Sequence, residues 1–206
     1  MESSEKISAW RTLVGKIGVR YSACKVSNFE TDNERMQAAK NAVFEYGLNL
    51  EQHVFDGDGL FLFGPPGTGK DHLMAGLMRL AVLGKGMSLD WFNGLDIYAM
   101  FRDSFQDDTR EREIMRQFTR PDVLAISDPL PPWGQLTQYQ ASVLARIMDY
   151  RNRNVKSTWV TANFATADEG RDRLGASAFD RLRDGALTVF CNWKSHRKCL
   201  VGDIRK

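Results

Sequence analysis

Apolar and polar positions along this chain fall into helical and strand-like patterns that alternate from end to end. Residues 4–20 carry Trp10, Leu13, Val14 and Ile17 at helical spacing. A second helical stretch starts at a cap, Asp32 or Asn33, and runs to about Tyr46, with Met36, Ala39, Ala42, Val43 and Tyr46 on one face. The turn-rich DGDG then opens into an apolar strand, LFLF at 60–63. Beyond a glycine loop, Leu73, Met74, Leu77, Leu80 and Ala81 recur every three or four residues, which predicts a helix buried on one face. The GKG at 84–86 turns into a second strand near 88–92, and helical spacing resumes over 94–105. The charged run DDTRERE at 107–113 reads as a solvated loop or helix surface. A third strand, 123–126, ends at Ser127-Asp128, where prolines 129, 131 and 132 stop it. A helix capped by Thr137 follows to 151, then a strand over 158–162 running into Asn163, a short helix around 167–183, and a last strand over 187–191. Strand and helix alternate throughout, so the expected fold is α/β, a parallel sheet covered by helices with ligands at the carboxyl ends of its strands.

Composition sets the class and excludes several others. The 206 residues are 43% hydrophobic and 26% charged, which suits one α/β domain with a substantial core. No apolar run approaches a membrane span, and the N-terminal stretch lacks the apolar centre of a signal peptide. The three cysteines, Cys24, Cys191 and Cys199, have no metal-ligand spacing and read as reduced thiols of a cytoplasmic protein. His53, His72 and His196 are too scattered for a zinc site or a His-based triad. Net charge is +2, but residues 171–206 hold nine Lys/Arg against four Asp and no Glu, a net +5 that leaves −3 for residues 1–170. A solvated face, arginines aimed at nucleotide phosphates and a patch for a nucleic-acid backbone all fit that asymmetry.

The chemistry concentrates in GPPGTGK, residues 64–70, between the first strand and its helix. Gly64, Gly67 and Gly69, with Pro65, Pro66 and Thr68 between them, read as a phosphate-binding loop whose backbone N–H groups converge on an anion, while Lys70 reaches the β- and γ-phosphates of ATP. Asp71 and His72 complete the expected nucleotide-binding set. The position after Lys70 ordinarily supplies a hydroxyl for Mg²⁺, and here it is Asp71. The acidic partner of such a loop is sought at a strand end, and VLAISDPL offers Ser127 at the metal position and Asp128 at the catalytic one. Hydroxyl and carboxylate have thus traded places, with Asp71, Ser127 and Asp128 as metal-side residues and a hydrogen bond expected between Ser127 and Asp71. Two other readings remain open: a decayed site in which Asp71 only caps its helix, and a shifted register in which Asp128 itself takes the metal.

Beyond the loop, the stretches GLDIYAMFRDSF, SDPL, LARIMDYR, VTAN, LGASAFDRLR and CNWKSHR resemble the AAA+ ATPase domain of bacterial replicative-helicase loaders (DnaC, DnaI) and the related transposition ATPase IstB, over about residues 21–197. The resemblance implies a P-loop NTPase three-layer sandwich with little or no C-terminal lid, residues 1–28 forming a short helical extension and 29–206 the ATPase domain. It implies that Asn163 is the sensor for the attacking water, Arg181 the arginine finger that enters a neighbouring subunit's site, and Arg197 the second sensor arginine. With Lys70 and Asp128 these form the implied catalytic set, and a trans finger implies a nucleotide-dependent homo-oligomer. The family also binds single-stranded DNA, for which Phe101, Arg102 and Phe105 occupy the family's contact helix; packing within the fold is the other reading of the two phenylalanines. Expected partners are therefore single-stranded DNA and a replicative helicase or another replication or transposition protein, with no membrane. The function implied is an ATP-binding, ATP-hydrolysing AAA+ loader or remodelling factor. The alternatives are an IstB-like transposition ATPase and a nucleotide-binding adaptor without turnover.

Overall fold

Every residue of the run Gly59–Phe63 is buried, because the strand it forms, β1, sits inside the sheet with neighbours on both edges. The computed structural model describes residues 2–104 and 107–197. In chain order the elements are α1 (Ser3–Ile17), α2 (Glu34–Leu48), α3 (Leu50–Asp56), β1, α4 (Lys70–Arg79), β2 (Leu89–Asn93), α5 (Gly94–Asp103), α6 (Asp108–Thr119), β3 (Val123–Ser127), α7 (Gln138–Arg153), β4 (Ser157–Ala162), α8 (Ala167–Leu174), α9 (Ala176–Arg183) and β5 (Ala186–Phe190). The strands of the described residues form one parallel sheet in the order β2-β3-β4-β1-β5.

Alternation within the strands explains the three layers, since successive side chains leave opposite faces of a sheet. Leu60, Leu62, Val123, Ala125, Trp159 and Val189 enter one core with α1, α2 and α4. Phe61, Phe63, Leu124, Ile126, Val160 and Ala162 enter the other with α5, α6, α7 and α9. At about 1.5–3 kcal/mol for each fully buried large apolar side chain, two such cores hold the strand ends that carry the polar chemistry. Parallel pairing also aligns those ends: Phe63 lies beside Ala162, and Ser127 beside Thr161.

The structure departs from the sequence reading in particular places. The first helix stops at Ile17, before Gly18, and residues 19–21 form a separate 3₁₀ turn. Of the two readings of the charged run 107–113 the helix surface is the one found: it opens α6, whose Asp107 cap accepts from the Thr109 and Arg110 amides and whose Ile114 and Phe118 are buried. α3 appears where no element is expected. The single helix expected over 167–183 is two, separated at Gly175. Helix α4 continues into a wider π turn over Leu80–Lys85. Among the described residues no helix is long and apolar enough to cross a membrane.

Candidate functional site

The loop between β1 and α4 is shaped by close backbone approaches that only glycine permits. Gly64 has φ +146°, and a Cβ there would collide with the Cys191 carbonyl. Gly67 has φ +84°, and a Cβ there would collide with the Ser195 hydroxyl. Both obstacles belong to the segment after β5, which folds back over the loop as a strap. Its Cys191 amide donates to the Phe63 carbonyl (2.7 Å), the His196 amide to the Gly67 carbonyl (2.9 Å), and Trp193 Nε1 to the Thr68 carbonyl (2.9 Å). Thr68, fully buried, donates its hydroxyl to the Pro65 carbonyl at 3.0 Å.

Lys70 opens α4 with its ammonium turned inward onto the loop, donating to the carbonyls of Gly64 (2.9 Å) and Pro65 (2.8 Å). Burial lowers its pKa, opposed by the charges of Cys191, Asp71 and Asp128. An incoming phosphate would compete with those two carbonyls for the same cation. The next residue, Asp71, stands in the first turn of α4, where the helix dipole favours a carboxylate. The hydrogen bond expected from Ser127 is present: Ser127 Oγ donates to Asp71 Oδ1 at 2.9 Å. A residue the sequence reading did not single out joins them, since Thr161 Oγ1 donates to the same oxygen at 2.7 Å. The only signal for Thr161 was its place in VTAN; its role follows from β3–β4 register.

Asp128 leaves β3 at φ +52°, an uncommon conformation for a residue with a side chain. Its amide donates to the Thr161 carbonyl at 2.9 Å, and Asn163 Nδ2 donates to its Oδ2 at 2.6 Å. Burial raises the Asp128 pKa, the Asn163 bond works the other way, and the Asp71 charge adds to the rise. Asn163 is held from behind by Arg173, which donates to the carbonyls of Asn163 (3.0 Å), Pro131 (2.8 Å) and Gly134 (2.8 Å). Between the last two stands Trp133, 87% exposed.

One cleft of about 460 Å³ collects these groups. Pro66, Gly67, Gly69, Lys70, Asp71 and His72 line one side, Ser127, Asp128 and Asn163 another, and Arg197 the strap side. The remaining wall comes from residues missed in the sequence: Asn93 from the end of β2, and Arg20, Tyr21 and Phe29 from the segment between α1 and α2. Phe29 meets the His72 and His196 rings edge-on, each at 5.5 Å. His72 is itself engaged, its Nε2 within 3.1 Å of the Lys25 carbonyl and 3.0 Å of Asn28 Oδ1.

Not every expected residue comes to the cleft. Arg181, on α9, lies outside its lining and pairs with Asp149 (3.2 Å) and with the Ser177 hydroxyl. Phe101 is only 5% exposed and packs on Phe118 at 5.7 Å, so its ring belongs to the core; Arg102 is exposed. Phe105 and Cys199 lie outside the described residues, and Cys24 and Cys191 are buried free thiols.

Asp71 and Asp128 supply carboxylate oxygens, Ser127 and Thr161 hydroxyls, and no His or Cys completes a cage: among the described residues no group of three or more His, Cys, Asp or Glu could hold a metal ion. Hard oxygen donors with few carboxylates suit Mg²⁺ carried in by phosphates and not a dedicated protein-bound ion. The arrangement can therefore cradle a polyphosphate, place a carboxylate and an amide beside it, and close over it with an arginine.

Comparisons with known proteins bear on the family and the fold. The family described as "IstB-like ATP binding protein" matches residues 34–199. No curated protein sequence matches the chain. Among solved structures, the DnaC helicase loader is similar over 84% of this chain and 99% of its own, with a TM-score of 0.71 at 20% identity. DnaI is similar over 87% of this chain and 94% of its own (TM-score 0.66, 17% identity). The replication initiator DnaA, bound to AMPPCP and single-stranded DNA, is similar over 84% of this chain and 50% of its own (TM-score 0.65, 17% identity). At such identities the likeness establishes the P-loop AAA+ fold.

Proposed function

The chain belongs to the family of IstB-like ATP-binding proteins, and from that premise we propose that it is an ATP-hydrolysing AAA+ protein of DNA replication that binds single-stranded DNA and acts as a helicase loader or remodelling factor. The observation that carries the reading is the convergence of Lys70, Asp71, Ser127, Asp128, Asn163 and Arg197 on one cleft beside the glycine loop. In it, the loop amides and Lys70 bind the phosphates, Asp128 orients the attacking water with Asn163 holding the carboxylate, and Arg197 meets developing phosphoryl charge. Mg²⁺ would be held on this side by Asp71, with Ser127 bonded to that carboxylate, and would supply neutralisation of the phosphates.

Arg181 has its place in this reading as a finger for a neighbouring subunit, which is why it stands clear of its own cleft. For DNA, Trp133 takes the part that Phe101 cannot: an exposed ring on a proline-braced loop offers a face on which a base stacks. Arg173 joins that loop to Asn163, so DNA and nucleotide act on one piece of structure.

A second reading, a nucleotide-binding adaptor with little turnover, draws support from position 71, where Asp71 stands in place of the hydroxyl that ordinarily holds Mg²⁺ after the loop lysine. The two are separated by measuring Mg²⁺-dependent ATP hydrolysis with and without single-stranded DNA, beside Arg181→Ala. DNA-stimulated turnover that falls in Arg181→Ala supports the assembling motor. ATP binding without turnover supports the adaptor.

A further inference from the structure

Two hydroxyls converge on a single carboxylate oxygen. Thr161 Oγ1 donates to Asp71 Oδ1 at 2.7 Å and Ser127 Oγ to the same oxygen at 2.9 Å, while the hydroxyls stand 3.3 Å apart. Each hydroxyl has one proton to give, so both protons are committed to Oδ1. Among the described residues nothing donates to Oδ2, and Asp71 lines the cleft. Thr161 is 2% exposed and fixed opposite Ser127 by the β3–β4 register, so its position is set by the sheet and not by the loop.

We propose that Thr161 is a positioning residue for the divalent cation of a bound nucleotide: with Ser127 it pins Oδ1 of Asp71 and thereby turns Oδ2 toward the metal. The inference rests on the reading of the cleft as a magnesium–nucleotide site. A carboxylate on a helix N-terminus can rotate about its last bond, and an unpinned one beside phosphates would turn away from them. Two donors on one oxygen remove that freedom. They add no charge of their own, so the protein's contribution at this point stays a single carboxylate, which leaves the phosphates to supply the remaining attraction for the cation.

The test is the affinity for a fluorescent ATP analogue measured in Mg²⁺ and again in EDTA, the ratio reporting what the metal adds. Thr161→Val, which keeps the shape and loses the donor, should lower that ratio about 10- to 100-fold, the usual cost of losing a partner behind a metal ligand, with the EDTA affinity unchanged. Thr161→Ser should restore it. Asp71→Asn retains an Oδ1 acceptor for both hydroxyls but no second carboxylate oxygen; it should abolish the ratio and tighten binding in EDTA, where an unneutralised carboxylate repels phosphate. Ser127→Ala, which removes the longer bond, should lower the ratio by a smaller factor and serves if Thr161→Val fails to fold. A Thr161→Val or Ser127→Ala protein with the wild-type ratio overturns the proposal. A wild-type protein that binds the analogue equally in Mg²⁺ and EDTA also overturns it and leaves nucleotide binding standing. Failure of the wild type to bind the analogue at all overturns both.

Discussion

Arg151 should be one of the costliest side chains in this protein to truncate. It is fully buried near the end of α7, and no carboxylate among the described residues lies within ion-pair distance. Its guanidinium instead makes five hydrogen bonds: Nε to Thr158 Oγ1 (2.9 Å), Nη1 to the carbonyls of Phe118 (2.8 Å) and Pro121 (3.1 Å), and Nη2 to those of Asp122 (3.1 Å) and Ser157 (2.6 Å). Burial lowers its pKa to about 9, with the Asp122 charge acting in the opposite sense, so it stays charged at neutral pH. One side chain thus ties the end of α6 and the starts of β3 and β4 to α7. Arg151→Met keeps most of the stem and removes all five donors. Hydrogen bonds to a charged group contribute roughly 1.5–3 kcal/mol each, and releasing a buried charge returns several kcal/mol. The net loss expected is about 3–5 kcal/mol, because four carbonyls and a hydroxyl lose their donor and each buried group left unsatisfied costs roughly 1–3 kcal/mol, partly offset by the released charge. For a chain of this size each kcal/mol moves the melting temperature by about 2–4 °C, so a fall of roughly 6–20 °C should appear in thermal unfolding followed by circular dichroism, matched by a lower urea midpoint at unchanged slope. Arg151→Lys should also destabilise, since three donors on a point charge cannot reach five acceptors spread across a plane. A methionine variant within about 1 kcal/mol of wild type would refute the reasoning, because it would mean that the four carbonyls find other partners at no cost.

Three further outcomes follow from the site. Asn163→Ala removes the donor that counters burial at Asp128, so the Asp128 carboxyl should titrate at higher pH, read by carbon NMR of its side chain; an unmoved titration would show that the 2.6 Å bond does not hold the carboxylate. The sign for stability is fixed by the same raised pKa: the Asp128 contribution is fully present below its unfolded value of 3.8 and is lost as pH rises through the folded value, and Asn163→Ala should shift that loss upward. Gly67→Ala should weaken nucleotide binding by displacing Ser195 and its strap, measured by equilibrium titration, whereas Gly15→Ala, on α1 with open space around it and no positive φ, should leave that affinity unchanged. Finally, mixing Arg181→Ala subunits with subunits carrying Lys70→Ala should recover part of the hydrolysis that each lacks alone; no recovery at any ratio would exclude a finger acting between subunits.

The layers, the loop and the strand ends were legible in the sequence because each depends on neighbours a few residues away. Apolar strands bounded by glycine and proline announce themselves, and a lysine after a glycine run has few other uses. What stayed hidden depends on distance or on charge. For the run 107–113 the choice between loop and helix surface stayed open because only Ile114, Met115 and Phe118 mark the buried face of α6, and Asp107 works as a cap only once the chain turns. Phe101 and Trp133 could not be ranked as DNA contacts, since a ring's exposure is decided by what packs on it. Thr161 became a site residue only through sheet register, and Tyr21, Phe29 and Trp193 through the way two distant segments close on the loop. That a carboxylate stands at position 71 and a hydroxyl at 127, and that the two would bond, was readable from residue identities, but the second hydroxyl that joins them was not.

The strap also bears on the order in which this molecule becomes competent during synthesis. Trp193 and Thr68 are 125 residues apart in sequence, yet the indole closes the hydrogen-bonding of the loop. At roughly 5–20 residues per second, a ribosome needs on the order of ten seconds to travel from one to the other. Over that interval the glycine loop has emerged without its cover, and the Thr68 and Gly67 carbonyls must be satisfied by water. The nucleotide pocket is therefore completed after every strand of the sheet, and a chain cut short before Trp193 would carry all five strands and an unfinished site.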